Sequence, residues 1–336
     1  MTPRISIAMA AYNGEKYIRE QLESFGTQTI PPNEVVISDD NSSDKTVDII
    51  EAFKAQAKFK VLLLRNKSRI GYTANFGNTI SECTGDIIFI SDQDDVWFPE
   101  KIQKICKILE ENRGVHCVVN DMEFTDSSLK PSGVTQLTLA RRLGAAGINA
   151  GCGTAITRQW RNFTVPFPLQ IPYDSWVGGL AQRLGVFHLS EERLQYYRRH
   201  GANTTNPIYS RVHGRRAPLH PYFVKWLKGE APHNFEAAHG SLAVILERLK
   251  DGRNKKQLDF ISENAVALAI QTIERELTLV KRRAEVVARP HWARIYPVAS
   301  LLLSGEYELA SGALSALKDV VGPRRAVGVR TPTALS

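Results

Sequence analysis

At 336 residues, 43% hydrophobic and 23% charged, the chain has the composition of an ordinary globular protein and enough length for one large domain and a smaller one. No apolar stretch approaches the roughly 18–20 residues that span a bilayer, and Cys83, Cys106, Cys117 and Cys152 lack both the CxxC spacing of a zinc site and the density of a disulfide framework. The formal charge of +8 fits a phosphate-bearing substrate or an anionic membrane surface as well as it fits nucleic acid, and no nucleic acid is expected as partner.

Met1-Thr2-Pro3-Arg4 leads straight into a strand-like run, too short and too early for a secretory signal, so a cytoplasmic protein is expected. Ile5–Ala11 reads as a first strand, Tyr12-Asn13-Gly14 as a turn, and Glu15–Gln28 as a helix with Tyr17, Ile18, Leu22 and Phe25 on one face. Pro31-Pro32-Asn33 punctuates the chain before a second strand, Glu34–Ser38. Asp39-Asp40-Asn41-Ser42-Ser43-Asp44 follows, then a helix through Val47, Ile50 and Phe53. A third strand over Lys60–Arg65, a helix over Tyr72–Glu82 and a strand over Ile87–Ile90 come next, an alternation that predicts a parallel α/β sheet with right-handed crossovers. Further on, Val115–Asn120 and Met122–Thr125 read as two strands, Ser175–Leu184 as a helix, and Gly201–Asn234 as an irregular connection. Leu242, Ile245, Leu246 and Leu249, then Ile270, Ile273, Leu277 and Val280, recur at helical spacing. The expected division is an α/β domain over 1–215 and a helical region over 216–336.

The most informative stretch is Ile87-Ile88-Phe89-Ile90 running into Ser91-Asp92-Gln93-Asp94-Asp95-Val96-Trp97. A buried parallel strand that delivers three carboxylates to its carboxyl end crowds like charges, which a hard cation relieves. Mg²⁺ or Mn²⁺ takes carboxylate and phosphate oxygens alike, and open α/β sheets bind ligands at this edge. Asp39-Asp40 ends another strand, so a shared pocket is expected, one cluster holding metal and the other accepting a hydrogen bond from a base or ribose. Helix capping by Asp40, Ser42 or Ser43 is the plainer alternative. No GxGxxG or GxxxxGK[ST] occurs, so a nucleotide would be held through the metal rather than by a glycine-rich cradle.

Ser6–Asn13, Ser38–Asp44 and Ser91–Asp95, in this order, resemble three signature blocks of the family 2 glycosyltransferases, over roughly residues 4–205. The resemblance implies the inverting GT-A fold, a Rossmann-like, mostly parallel sheet flanked by helices. Gly71 and Asn75 upstream of Ser91–Trp97 make the chain look most like the bacterial rhamnosyltransferase-like branch, and are placed in the donor site with it. By the same resemblance Ala10 and Tyr12 line the nucleotide pocket, Asp40 beside Asp39 accepts the N3–H of a uracil or thymine, and Asp92, Asp94 and Asp95 hold Mg²⁺ or Mn²⁺ on the diphosphate. The implied donor is a dTDP- or UDP-linked sugar, dTDP-rhamnose or a UDP-hexose. The implied acceptor is a saccharide or lipid-linked saccharide of surface-polysaccharide synthesis.

An inverting transfer also needs a base to deprotonate the acceptor. In Pro172-Tyr173-Asp174-Ser175-Trp176, Asp174 sits between aromatic residues that would raise its pKa, and the resemblance assigns it this role. Capping of the following helix is the alternative. Tyr197-Arg198-Arg199-His200-Gly201-Ala202-Asn203 resembles the YRxHxxN segment of this branch, which makes His200 a metal or diphosphate ligand and Arg198 or Arg199 a phosphate partner. Two rival readings stand beside this one: a haloacid-dehalogenase-like phosphatase, from the DxDxV match at Asp92–Val96, and a non-enzymatic basic protein bound to membrane or nucleic acid. Lys281-Arg282-Arg283, Arg289, Arg294 and Arg324-Arg325, with Trp292, Tyr296 and Val298–Leu303 among them, are expected either on an anionic membrane surface or in an ordinary helical bundle. The first option would make the protein peripheral on the cytoplasmic face of the inner membrane.

Overall fold

Six apolar residues and a buried serine in β1 (Ile5–Ala11) set the centre of the fold, and the strand pairs in parallel with β2 (Glu34–Asp39) on one side and β4 (Ile87–Ser91) on the other. The computed structural model describes residues 2–143, 151–201, 203, 234–310 and 312–322. The remaining strands are β3 (Lys60–Arg65), β5 (Val96–Trp97), β6 (Cys117–Thr125), β7 (Pro131–Thr135), β8 (Thr154–Thr157) and β9 (Phe187–Arg198). The sheet runs β3-β2-β1-β4-β8-β6-β9-β5, with β7 also on β6. Its first four strands are parallel. Beyond β4 the sheet is mixed, since β8 runs antiparallel to both β4 and β6 while β9 lies parallel to β6.

Helices α1 (Ile18–Gly26), α2 (Thr46–Lys54) and α3 (Tyr72–Glu82) make the crossovers among the first four strands, and α4 (Lys101–Glu111) follows β5. Their apolar faces meet the sheet because the spacing of Ile18, Leu22 and Phe25, and of Ile102, Ile105 and Leu109, keeps those residues on one helical face. These side chains enclose Ile5, Ile7, Met9, Phe89 and Trp97. A strand covered on both faces is buried along its length, as β2 is throughout and β1 is except at the half-buried Ala10. Later come α5 (Gln136–Leu143), α6 (Arg158–Thr164), α7 (Tyr173–Arg183), α8 (Phe235–Asn254), α9 (Glu263–Ala288), α10 (Ile295–Leu303) and α11 (Ala313–Val321).

Three local readings change. The two strands expected over 115–125 are one, because bulges at Asn120–Asp121 and Asp121–Glu123 absorb the polar pair without ending the ladder with β9. The Asp121 carboxylate accepts from the Met122 and Leu137 amides, 2.9 and 3.0 Å, which lets it stay buried inside the strand. Helix α1 starts at Ile18 rather than Glu15, since the Gly14 carbonyl first closes a turn with the amides of Tyr17 and Ile18. Helix α7 starts at Tyr173, so Asp174 lies in its first turn.

The chain divides into two compact units, Met1–Tyr209 with Lys256–Ala265, and Ser210–Lys255 with Val266–Ser336. The irregular connection expected over 201–234 and the boundary near 215 lie mostly outside the described residues, as do Arg324 and Arg325. No described helix is long and apolar enough to cross a membrane.

Candidate active site

The carboxyl ends of β1, β2 and β4 stand side by side, which brings Tyr12–Gly14, Asp39–Asp44 and Asp92–Asp95 to one edge. The two acidic clusters lie on either side of β1. Asp39 folds back on its own loop: its carboxylate accepts from the Ser42 amide at 2.9 Å and from the Ser42 hydroxyl. Asp40 is buried and accepts from the amides of Ile70 and Gly71, 2.8 and 2.9 Å, and from Asn66 Nδ2 at 3.1 Å. Three of the about four acceptor positions of a carboxylate are thereby used, and the 66–71 loop is fixed. Gly71 takes φ +88, a region that favours glycine, as α3 begins. Asn75 is buried, and its Nδ2 donates to the Ser38 carbonyl at 2.9 Å, bracing the end of β2. None of Asp40, Ser42 and Ser43 caps α2, whose N-cap is Lys45; just ahead of it Asp44 accepts from the Thr46 amide and hydroxyl.

In the Asp92–Asp95 segment each side chain has a different task. Gln93 pairs with the Tyr12 backbone in both directions, its Oε1 accepting from the amide and its Nε2 donating to the carbonyl, each at 2.9 Å. A Cβ added at Gly14 would lie 2.2 Å from Gln93 Oε1, so the glycine leaves room for this clamp. The Tyr12 ring carries the Arg69 guanidinium at 4.1 Å, while Ala10 is half-buried opposite Ser38. Asp94 Oδ2 lies 2.7 Å from His200 Nε2 and 3.3 Å from Asn203 Nδ2, and the His200 ring stacks on Tyr17 with centroids 4.6 Å apart. Asp95 is fully buried and accepts from Gln195 Nε2 at 2.9 Å and from the Arg198 amide at 3.2 Å. Below it Lys101 Nζ, also buried, donates to Gln195 Oε1, reaches the Cys152 carbonyl at 3.3 Å and sits 3.9 Å from the Trp97 ring centroid.

Electrostatics mark the same point. Burial first, and then the Asp94 charge, push the Asp92 carboxyl up to about 7, with Asp174 adding to the rise. Burial and the two neighbouring carboxylates raise Asp95 well above the ordinary range. Burial also lowers Lys101 to about 7, against the pull of Asp95 and Asp92. Asp174 is raised by burial, an effect opposed by its bond from the Ser175 amide at 2.6 Å. Beside it, Tyr173 stacks on Phe76 at 4.0 Å, and a Cβ on Gly151 would come 1.9 Å from its hydroxyl.

A cation fits this cluster. Asp92, Asp95 and Cys152 offer ligand atoms within 4.8 Å of one another, and carboxylates held up by burial and mutual repulsion gain most from a positive charge. The oxygen donors suit a hard ion. The Cys152 thiol does not, since burial and the nearby carboxylates keep it protonated.

Of the residues expected here, the fold gathers Tyr12, Asp92, Asp94, Asp95 and His200 at the edge, and the charge of Asp174 reaches Asp92. Arg198 is a correction. Its guanidinium is buried, donates to the carbonyls of Asp94 and Ser127, both at 2.9 Å, and to Glu20, and lies 4.7 Å from the Tyr17 ring centroid. It braces the acidic loop from inside rather than meeting phosphate. Arg199 turns to Tyr197, with Nη1 3.4 Å from its hydroxyl. Sequence reasoning missed Lys101, Cys152 and Gln195, which come from three distant segments. Only the small residues around Cys152 in Gly151-Cys152-Gly153 hinted at close packing.

Residues 6–167 match the family described as Glycosyl transferase family 2. Over 217 residues, 60% of this chain and 66% of the relative, the sequence is 28% identical to the uncharacterized glycosyltransferase alr2836 of Nostoc sp.. Over 108 residues, 31% of this chain and 37% of the relative, it is 36% identical to the dTDP-rhamnosyl transferase RfbG of Shigella flexneri. The chain therefore spans less than two thirds of either curated relative. Among solved structures, Staphylococcus aureus TarS 1-349 in complex with UDP superimposes with a TM-score of 0.53 at 14% identity, over 95% of this chain and 89% of that one. That likeness is one of fold.

Proposed function

Because the chain belongs to the family 2 glycosyltransferases, with their domain over residues 6–167, we propose that it transfers a sugar with inversion from a dTDP- or UDP-linked donor to a saccharide or lipid-linked saccharide acceptor. The observation that carries this reading is the Asp92–Asp95 cluster at the strand ends, with Asp174 near enough to push Asp92 up. The 36% identity to a relative named as a dTDP-rhamnosyl transferase favours dTDP-rhamnose over a UDP-hexose.

Asp92 and Asp94, with Asp95 behind them and His200 on Asp94, would hold Mg²⁺ or Mn²⁺. Held there, such an ion would supply charge neutralisation for a departing nucleoside diphosphate. The protein's own residues do the rest. Asp39, Asp40, Gly71 and Asn75 fix the loops beneath the nucleotide, and Tyr12 with Ala10 lines the pocket for the base. Asp174 takes the proton from the acceptor hydroxyl as the new bond forms, and its raised pKa gives it the affinity for that proton. Synthesis of surface polysaccharide is the setting this chemistry fits.

Transfer and donor hydrolysis are measured with dTDP-rhamnose and UDP-hexoses, with Mn²⁺ or with EDTA. Asp174→Asn should keep nucleotide affinity while turnover falls by about 10²–10⁴-fold. Joint loss of affinity and turnover would make Asp174 a donor-site residue, and full activity of Asp94→Ala in EDTA would end the metal reading.

A further inference from the structure

The C-terminal unit carries an apolar face that its own core does not use. Leu279, Val286, Val298, Leu301, Tyr307 and Ala316 form that core. Inside it Arg283 pairs with Asp319 at 2.6 and 3.1 Å, and Tyr307 Oη donates to the same carboxylate at 2.7 Å. Arg294 is fully buried and donates to the carbonyls of Val287, Arg289, Asp319 and Gly322 at 2.6–3.2 Å. Two cations that the sequence offers to a membrane are thus internal braces.

What they leave outside is apolar. Trp292 is 80% exposed, Tyr296 84% and Leu303 89%, with Ile295 and Leu302 exposed among them. Helix α10 has no charged residue, so the inward stripe of Val298 and Leu301 is matched by an outward one of Ile295, Tyr296, Ala299, Leu302 and Leu303. A lone exposed leucine means little, whereas a run of this kind marks an interaction surface. From Val286 to Gly305 the sequence has no carboxylate, Glu285 and Glu306 standing just outside that stretch, and Arg289 is exposed at the near end. The Gly322 carbonyl accepts from Arg294 Nη1 at 2.6 Å and from His291 Nε2 at 2.9 Å, which fixes that end of the chain close to Trp292. The sequence that follows holds Arg324, Arg325 and Arg330 and no acidic residue.

We propose that α10 and the Trp292 turn dock on the surface of an anionic bilayer, with Trp292, Ile295, Tyr296 and Leu303 at the headgroup–acyl boundary and Arg289 among the phosphates. Tryptophan and tyrosine suit that boundary, having an apolar body and a polar tip. A nine-residue helix lies on a membrane and does not cross it. A second copy of the chain fits less well, because a two-fold contact centred on this face would bring Arg289 towards its own copy. Anionic lipid offers the opposite charge. This proposal stands independently of glycosyl transfer.

The full chain is sedimented with vesicles of phosphatidylcholine alone and with phosphatidylglycerol added. It should pellet with the anionic vesicles, less so as salt rises. The triple variant Trp292→Ser, Tyr296→Ser, Leu303→Ser should keep the native melting temperature, since all three side chains are exposed, and lose partitioning by at least about tenfold. Recovery of the native chain in the supernatant with both vesicle types would overturn the proposal. So would unchanged binding of the triple variant, or a dimer in sedimentation velocity without lipid that the triple variant abolishes.

Discussion

Replacing Arg198 by methionine tests whether the acidic loop is braced from within. The substitution keeps most of the side-chain length and removes three donations, to the Asp94 carbonyl, the Ser127 carbonyl and Glu20. The partners differ in value. The half-buried Asp94 carbonyl loses a charge-assisted bond of about 1.5–3 kcal/mol. Ser127 is exposed and can bond water, and Glu20 is 47% exposed, so the two together contribute no more than about 1 kcal/mol. The expected loss is about 1.5–4 kcal/mol in urea denaturation, while Glu20→Gln should cost under about 1 kcal/mol. Because the Asp94 main chain would lose its support, metal affinity should fall with stability. A variant of native stability with weakened nucleoside diphosphate binding would refute the brace and return Arg198 to the phosphate.

Two further outcomes follow from the same edge. Gly14→Ala forces the Gln93 amide off the Tyr12 backbone, since the new Cβ would lie 2.2 Å from Oε1; it should cost about 1–3 kcal/mol in urea melts. Gln93→Ala on that background should add little, and full additivity in the double-mutant cycle would show that the two residues do not share a clamp. Asp92 rises from 3.8 to about 7, so between those values the folded protein keeps a proton that the unfolded chain has released. Its contribution to stability therefore falls as pH rises through this window and is lowest above about 7. Mn²⁺ should raise the melting temperature more at about pH 8 than at about pH 5.5, and an equal rise at both would separate the ion from Asp92.

The parallel half of the sheet was legible in local pattern alone. Ile5–Ala11, Glu34–Asp39, Lys60–Arg65 and Ile87–Ser91 are short apolar runs between turn residues, and local pattern is enough to place such strands and the acids at their ends. What those acids meet depends on the packing of remote segments. Lys101 is a helix residue in sequence, yet its ammonium lies near Asp95, held by Gln195 of β9 and the Trp97 ring of β5. Arg198, one of two adjacent arginines in a motif, points inward because β9 runs parallel to β6 and brings it between Asp94 and Ser127. Arg283 and Arg294 read as surface cations until Asp319 and four carbonyls take them inside. Hydrophobic periodicity reports which face of an element is buried. It says nothing about which polar group from another segment waits there, because that partner is chosen by packing over distances of a hundred residues or more in sequence, as between Asp95 and Gln195.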